Sequence, residues 1–417
     1  MHLGRDAATQ ALGSGRHTLK LSPAPLPLTP HVKQDGSTER ADPSTEGFVP
    51  IGGHHRMPPP QDTLWRSQPR VLIKHQVYRH YLQCWMGKIC RSFEQSSIVD
   101  AFSGPGQYSD GPDGSPLVIA KTFLEHSAFS QFNTLRLICN EKREDRRQHL
   151  TRKMEELPPT PKLKFHSPEP AETADTFDAL DALAHGGIRK NIPTLWILDP
   201  FNLGGVPFEL VRKCLRGSRD EVLITWFADE IYRFCEDASK ANAMTRHFGG
   251  DHWKAALSSR GETARKDALL AAYQKGLQSL GLLTNAVSIS SRNETARYSL
   301  VFATHDERGL ECFNPVKWRL DPVKGSTINE NRGMQQTDLF SELPVVDELR
   351  TYLESLEGEA APFAALAREA QRLGYLEKHL RTLLDELAVD GRAVRETPLK
   401  APTRWPADSV IRFYPVA

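Results

Sequence analysis

The 417-residue chain lacks the features that mark several common classes of protein. No apolar run approaches the roughly 18 residues that cross a bilayer, and the first residues, MHLGRDAATQ, contain no apolar core of a secretory signal. The sequence also lacks a G-x-x-x-x-G-K-[ST] phosphate loop, a G-x-S-x-G nucleophile turn and an H-E-x-x-H metal motif. We therefore expect a cytoplasmic protein with no membrane partner and none of these three chemistries.

Cysteine is scarce and scattered. No two of the six cysteines form a CxxC pair, which argues against a structural zinc site and is typical of reduced thiols in a cytoplasm. The cysteines are Cys84, Cys90, Cys139, Cys214, Cys235 and Cys312. The histidines have no metal-ligand spacing either, so we predict no metal site. The formal net charge of +1 excludes a strongly basic protein that coats nucleic acid and leaves room for a local basic patch.

What the sequence does contain is a long alternation of strand-like and helical patterns between residues 62 and 320. An amphipathic helix at 65–93 precedes the first strand. Strand-like runs follow at 98–102, 135–139, 163–165, 195–198 and 222–227. Helical patterns lie between them at 117–126, 143–157 and 208–215. This alternation predicts a doubly wound parallel sheet whose strands end at one shared edge.

The rest of the chain divides by composition. Residues 1–61 are rich in Pro, Gly, Ser and Thr and predict a disordered leader. Residues 228–282 are mostly helical and predict an insertion, and β-like runs at 286–290 and 297–303 predict a hairpin that closes the sheet. Residues 321–342 are polar and predict a linker. In 343–417, helices at 345–356, 362–373 and 377–390 and strands at 391–396 and 410–414 predict a winged helix-turn-helix.

The predicted winged helix carries basic residues that could contact phosphates. They are Lys378, His379, Arg381, Arg392 and Arg395. Acidic residues are interspersed with them on the same helix, so a surface that binds another protein is an equal alternative.

The first strand leads into the most informative motif, VDAFSGPGQYSDGPDGSP. Asp100 stands at the carboxyl end of the strand, where open α/β sheets bind their ligands. Gly104 and Gly106 allow a positive φ and a close approach of the backbone to a ligand. Ser115 and Pro116 predict a helix start, with Ser115 as the N-cap and free N–H groups that suit an anion. Tyr108 and Asp110 either line this pocket or lie in a flexible surface loop.

Two further strand ends carry polar residues. Glu141 follows the second strand, where a carboxylate can accept hydrogen bonds from both ribose hydroxyls of a nucleoside cofactor. Alternatively, Glu141 opens a solvated charged helix. Asp199, Pro200 and Phe201 follow the fourth strand; the carboxylate and a carbonyl can accept the hydrogens of a planar amine while the ring stacks on it. Alternatively, Asp199 caps the following helix or starts a turn.

These segments, with ICNEKRE, LWILDPFNLGGVPFELV and VLITWFADEIYRF, resemble the bacterial three-Cys-motif partner proteins from about residue 64 to the C-terminus. Members of that family look like S-adenosylmethionine-dependent methyltransferases with a winged-helix-like C-terminal region. They are named for a gene neighbour that carries a three-cysteine, radical-SAM-like motif. The resemblance implies a Rossmann-like methyltransferase fold, S-adenosylmethionine as the cofactor and the three-Cys-motif protein as the partner.

The resemblance also assigns site residues. Asp100, Gly104, Gly106 and Glu141 would bind the cofactor, and Asp199, Pro200 and Phe201 would face the substrate. We predict Phe102 and Ser115 as further cofactor-binding residues. The sequence departs from the family pattern where Asn202 replaces the Gly of D-P-F-G, and where the run 166–169 lacks the Asp that often reads the adenine amine. In that run Glu169 or backbone groups would take the place of the Asp. A longer loop, 107–113, could fold over the cofactor.

We therefore predict a cytoplasmic S-adenosylmethionine-dependent methyltransferase that acts on a nucleic acid or on a product of its partner protein. One alternative is a non-catalytic adaptor that binds the three-Cys-motif protein. A second is an NAD-type oxidoreductase, which the missing third glycine of G-x-G-x-x-G and the terminal hairpin disfavour.

Overall fold

The computed structural model describes residues 61–169, 173–186, 191–201, 205–291, 297–330, 343–397 and 403–415. The predicted leader, apart from Gln61, lies outside the described residues.

The first element is a long helix, α1 (Pro69–Ser92). It begins four residues later than predicted, because Pro69 suits the first helical turn, where its missing N–H costs nothing. One face of α1 is buried against the sheet. Most of that face is apolar, but it also includes Lys74 and His75.

An eight-stranded sheet forms the body of the chain. Five parallel strands are β1 (Gln95–Asp100), β2 (Thr134–Cys139), β3 (Leu163–His166), β4 (Thr194–Leu198) and β5 (Asp220–Trp226). A hairpin of β6 (Leu283–Ser290) and β7 (Arg297–Thr304) follows, and β7 runs antiparallel to β5. With β8 (Thr327–Asn329), the strand order is β3-β2-β1-β4-β5-β7-β6-β8. The predicted doubly wound sheet and its closing hairpin are therefore confirmed.

Helices cover both faces of this sheet. They are α2 (Ser115–Leu124), α3 (Glu144–Glu155), α4 (Thr173–His185), α5 (Phe208–Cys214), α6 (Ala228–Phe234), α7 (Ala241–Phe248), α8 (Glu262–Gln278) and α9 (Glu307–Leu320). Successive strand residues alternate between two cores, as the strand period of two requires. Ile98 packs into the core that holds α1, and Val99 packs into the opposite core.

Two expectations about elements are wrong, and two helices were missed. Gly114, not Ser115, is the N-cap of α2, and its carbonyl accepts the Val118 N–H at 3.0 Å. Helices α4 and α9 were not predicted. Part of the expected linker is structured, because the Asp321 carboxylate accepts backbone N–H groups of Ser326 and Thr327, both at 3.1 Å, and so forms the turn that leads into β8.

The C-terminal residues form a smaller unit. Its elements are α10 (Asp347–Glu354), β9 (Ala360–Pro362), α11 (Phe363–Arg372), α12 (Glu377–Val389), β10 (Ala393–Thr397) and β11 (Val410–Phe413). The strands make a three-stranded antiparallel sheet, β10-β11-β9. Trp318 of α9 belongs to the core of this unit and donates to the Gly374 carbonyl at 2.8 Å. The predicted three helices and two later strands are thus present, with β9 in addition.

The expectation of six reduced cysteines is also wrong. Cys84 on α1 and Cys312 on α9 form a disulfide across 228 residues of sequence, with Cα atoms 5.5 Å apart. Spacing along the chain gave no sign of this pair, because the fold alone brings the two helices together. The other four cysteines are free and buried.

Candidate cofactor and acceptor site

The glycine-rich turn after β1 has a backbone that a ligand or a neighbouring helix can approach closely. Gly104 and Gly106 have φ of 63° and 85°, in the left-handed region that favours glycine. A Cβ on Gly106 would come within 2.8 Å of the Leu150 side chain of α3. Helix α3 also fixes the turn through His149, whose Nδ1 lies 2.7 Å from the Pro105 carbonyl oxygen. The predicted role of both glycines as turn residues beside β1 is therefore confirmed geometrically.

Asp100 lies fully buried at the carboxyl end of β1. Its Oδ1 accepts the Phe102 N–H at 3.4 Å, while Oδ2 has no hydrogen-bond partner among the described residues. Burial raises the pKa of the Asp100 carboxyl to about 7, and the nearby Ser115 hydroxyl only partly offsets this. The neighbouring Ser103 hydroxyl is also buried and unpartnered within the described chain. Unpartnered buried polar atoms of this kind fit a polar ligand that is held between β1 and α2.

Glu141 lies one strand away, at the end of β2. It is 7% exposed, and its Oε1 accepts the Arg143 N–H at 2.7 Å. Asn140 joins this end to the glycine turn, because its carbonyl oxygen accepts the Ser103 N–H at 3.0 Å and its N–H donates to the Asp100 carbonyl at 2.9 Å. Glu141 is therefore buried beside Asp100 rather than exposed on a charged helix face, so the solvated alternative is wrong.

Residues 61–68, which we call the strap, run over this turn. Arg146 donates to the Asp62 carbonyl at 2.8 Å, and its guanidinium lies 4.7 Å from the centre of the Trp65 ring. The Trp65 ring would be the nearest neighbour of a Cβ on Gly104, at 3.5 Å. Ser67 donates to the Asp110 carboxylate at 2.9 and 2.8 Å. Asp110 therefore holds the strap against the glycine-rich loop through two exposed hydrogen bonds.

Asp199, at the end of β4, forms an ion pair with Lys74 of α1. The Lys74 side chain is 7% exposed and that of Asp199 is 24% exposed. The N-cap of α5 is Pro207 and receives no side-chain hydrogen bond, so the alternative that Asp199 caps this helix is wrong. Pro200 is buried, and Phe201 stands 51% exposed. An aromatic ring beside a polar strand end is therefore accessible to a ligand.

Titratable groups from α1, the glycine loop and β7 surround Asp199. Burial, followed by the Lys74 charge, lowers the pKa of His75 to about 3, and its Nδ1 has no partner among described residues. Burial raises the pKa of Tyr78 well above its usual range, with Asp199 and Asp100 adding to the effect. Tyr108 also faces both carboxylates, and burial raises the pKa of its hydroxyl above the usual range. Tyr298 donates to the Arg70 carbonyl at 2.6 Å.

The sequence interpretation missed the α1 half of this site. It predicted only an amphipathic helix over 65–93. A signal was present, because Lys74 and His75 are adjacent titratable residues on the buried face, and such residues are seldom buried without a partner. Tyr108, for which a pocket and a surface loop were equal alternatives, packs towards α1, with its ring centre 6.1 Å from that of His75.

The structure places the remaining predicted residues in different surroundings. Phe102 contacts Phe177, with ring centres 6.4 Å apart. The Glu169 side chain is 92% exposed and lies 3.6 Å from Arg147. Asn202 lies outside the described residues.

The loop 107–113 closes back on the turn. Gln107 and Asp113 form an antiparallel bridge, and the Gly114 N–H donates to the Gly106 carbonyl at 2.7 Å. Its position puts Tyr108 between Trp65 and His75, with ring centres 5.9 and 6.1 Å away. Tyr108 of this loop therefore lies between the strap and α1. Within the described residues, no helix is long and apolar enough to cross a membrane, and no group of three His, Cys, Asp or Glu could hold a metal ion.

No protein-family model matches the sequence, and no curated protein matches it. Several solved structures are similar at low identity. Trm1 from Pyrococcus horikoshii in complex with S-adenosyl-L-methionine is 15% identical at a TM-score of 0.37, over 61% of this chain and 60% of that one. Cofactor-bound Rv0187 from MTB is 10% identical at 0.28, over 57% and 90%. Loganic acid methyltransferase with SAH is 11% identical at 0.26, over 86% and 98%. Likeness at this level does not identify a family or an activity.

Proposed function

We propose that the chain is an S-adenosylmethionine-dependent methyltransferase. The observation that carries the proposal is the meeting of three strand ends at one edge of the sheet: Asp100 with its glycine turn, Glu141, and Asp199. Ligands of open α/β sheets bind at this edge. The order of the strands, with the antiparallel β7 between β5 and β6, supports the methyltransferase variant of the fold rather than a dinucleotide-binding oxidoreductase.

The residues present fit this cofactor. The Glu141 carboxylate suits the two ribose hydroxyls, which are hydrogen-bond donors. The unpartnered Asp100 Oδ2 suits the cationic amino group of the amino-acid moiety. That positive charge would favour the ionised form of the carboxyl, which burial disfavours. Gly104 and Gly106 let the backbone contact the cofactor where a Cβ would intrude. Ser103 and Ser115 add hydroxyls on the same side of the turn.

The bound cofactor would supply an electrophilic methyl group on a sulfonium. The task of the protein is then alignment, which can contribute a large share of the rate. Asp199 accepts the hydrogens of the acceptor and takes up the proton that the acceptor atom loses when it bonds to the methyl carbon. Phe201 holds the acceptor in plane. The ion pair with Lys74 holds the Asp199 carboxylate in place.

The C-terminal unit and the partner belong to the same proposal. The order helix, strand, two helices, two strands supports a winged-helix unit. Its basic residues are largely engaged: Arg381 pairs with Glu377 at 2.6 Å and Arg392 with Glu354 at 3.0 Å. His379 is buried. These pairings favour a contact with a protein, such as the three-Cys-motif partner, over contacts with nucleic-acid phosphates.

One observation favours the second candidate, a non-catalytic adaptor. The Asp199 carboxylate is already engaged by Lys74, as it would be in a site that had lost its acceptor. The two candidates differ in whether methyl transfer occurs, so a transfer assay separates them.

The experiment is transfer of a tritiated methyl group into nucleic acid and protein from a host that lacks this gene. The full-length wild type is expected to transfer the label, and Asp199→Asn is expected to bind S-adenosylhomocysteine normally while transfer falls about a hundredfold. Because Asp199→Asn leaves Lys74 unpaired, Phe201→Ala gives a second test at a half-exposed position. Full activity in both variants would refute the acceptor assignment. Cofactor binding without any transfer by the wild type would favour the adaptor.

A further inference from the structure

Helix α1 places three polar side chains near Asp199 that ordinary core packing does not explain. Three residues within little more than one turn of this helix carry the evidence. Lys74 pairs with Asp199, and His75 and Tyr78 each have a buried polar atom with no partner in the described chain. The atoms are His75 Nδ1 and the Tyr78 hydroxyl. Both side chains are at least nine-tenths buried. Unpartnered atoms in such positions are costly, which points to a ligand that supplies the missing hydrogen bonds.

The charges around Asp199 decide what kind of ligand this is. The Lys74 ammonium already balances the Asp199 carboxylate. A protonated alkyl amine would enter beside Lys74 and meet a like charge in a poorly hydrated site. An uncharged amine meets no such penalty, and its lone pair is free to attack a methyl group. The ion pair therefore selects against a cationic acceptor.

The shape and hydrogen-bonding capacity point the same way. The rings of His75 and Tyr78 lie 6.0 Å apart, and Tyr108 lies on the other side of His75. Phe201, which follows Asp199 by two residues, is exposed. Neutral His75 has one ring nitrogen that donates and one that accepts, and a tyrosine hydroxyl does both. A flat heteroaromatic ring with donors and acceptors along its edge matches this set of groups.

We propose that Lys74, His75 and Tyr78 form the second half of the acceptor site and select the exocyclic amine of a nucleobase over a protonated alkyl amine. This proposal rests on the proposed methyltransferase function and names its substrate class. The new bond joins the amine nitrogen to the methyl carbon, the sulfur–carbon bond of the cofactor breaks with its electrons on sulfur, and the amine proton passes to Asp199 or water.

The test uses the full chain, tritiated S-adenosylmethionine and defined acceptors. Adenosine, cytidine and guanosine carry an exocyclic amine, uridine lacks one, and a lysine-rich peptide supplies alkyl ammonium groups. Each base is offered as a nucleoside and as a short single-stranded RNA and DNA homopolymer, which separates a free base from a polymeric source. Label is expected in at least one amine-bearing base and absent from uridine, poly-uridine and the peptide.

Two tyrosines of α1 provide a matched pair of variants. Tyr78→Phe removes a buried hydroxyl whose polar neighbour is the Thr225 hydroxyl and which makes no hydrogen bond within the described chain, so stability should change little while the acceptor KM rises about tenfold, as expected for a lost hydrogen bond. Tyr81→Phe removes a hydroxyl that donates to buried Glu221 at 2.6 Å, so it should lower the melting temperature and leave the acceptor KM unchanged. Both should bind S-adenosylhomocysteine like the wild type.

The outcomes separate this inference from the proposed function. Absence of S-adenosylhomocysteine binding by the wild type would overturn the proposed function and this inference with it. Normal cofactor binding with label in the peptide, or with no label in any amine-bearing base, would overturn only the inference. An unchanged acceptor KM in Tyr78→Phe would remove α1 from the acceptor site.

Discussion

At the scale of single residues, Asp100 is a fully buried carboxyl group. Its position at a strand end could be predicted from the sequence, as could those of Glu141 and Asp199, because each follows an apolar run directly. The ion pair between Lys74 and Asp199 could not, since 125 residues separate the partners. Helical periodicity indicates only that a position is buried, and so it could not distinguish His75 and Tyr78 from ordinary core residues.

Asp100 makes the stability of the chain depend on pH. The pKa of its carboxyl is raised from 3.8 to about 7 on folding, so its contribution is fully favourable below the unfolded pKa and is lost as the pH rises through about 7. Asp100→Asn removes this term. Between pH 4 and 8 the free energy of unfolding of the variant should therefore rise relative to that of the wild type, by at most about 4 kcal/mol. Urea unfolding at a series of pH values measures the difference; a difference that is constant with pH would contradict the prediction.

At the scale of elements, the sequence predicted the strands and helices that have continuous apolar runs. It did not predict helices whose apolar pattern is interrupted. Four of the five parallel strands, β1, β2, β4 and β5, are mostly buried, and each appears in the sequence as a short apolar segment. Helix α9 carries Pro315 in its interior, which normally argues against a helix. The contact between α1 and α9 joins distant parts of the chain, so the disulfide between them followed from the fold alone.

The disulfide between Cys84 and Cys312 should stabilise the body of the molecule. It ties α1, which carries Lys74, His75 and Tyr78, to α9. Reduction is expected to cost roughly 2–5 kcal/mol of unfolding free energy, as for other bridges that close long loops. Thermal unfolding of the wild type with and without dithiothreitol measures the effect. A Cys84→Ala/Cys312→Ala double variant is the control, and it should not respond to reductant. An equally insensitive wild type would show that the bridge contributes no stability.

In the whole molecule, a buried lysine lies where the large sheet meets the C-terminal unit. Lys317 of α9 donates to Asn285 Oδ1 of β6 at 2.5 Å, and a Cβ on Gly374 of the C-terminal unit would come within 2.8 Å of its Nζ. Burial lowers the pKa of Lys317 to about 7, and the more distant Glu348 and Asp321 only partly offset this. Composition and periodicity could divide the chain into these two parts, but they could not reveal the polar contact between them.

Lys317 also makes stability depend on pH. Its effect has the opposite sign to that of Asp100 and falls at higher pH. Its folded pKa lies below the unfolded value of 10.5, so folding is penalised most below about pH 7, and the penalty fades as the pH rises towards 10.5. Lys317→Met removes this penalty, at most about 5 kcal/mol. The melting temperature of the variant should exceed that of the wild type most at pH 6 and least at pH 10. Lys324→Met, at an exposed position nearby, should show no such trend. A Lys317→Met protein less stable than the wild type at pH 6 would refute the expectation.

The central claim is that the edge formed by Asp100, Glu141 and Asp199 binds S-adenosylmethionine. Calorimetric titration of the full chain with S-adenosylhomocysteine, and separately with NAD, tests it most directly. We expect saturable binding of S-adenosylhomocysteine and none of NAD. Glu141→Ala should raise the dissociation constant roughly tenfold to a hundredfold, because a charge-assisted contact to two hydroxyls is lost. Glu144→Ala, at an exposed carboxylate of the next helix, should leave it unchanged. No binding by the wild type, binding of NAD instead, or an unchanged affinity in folded Glu141→Ala would contradict the account.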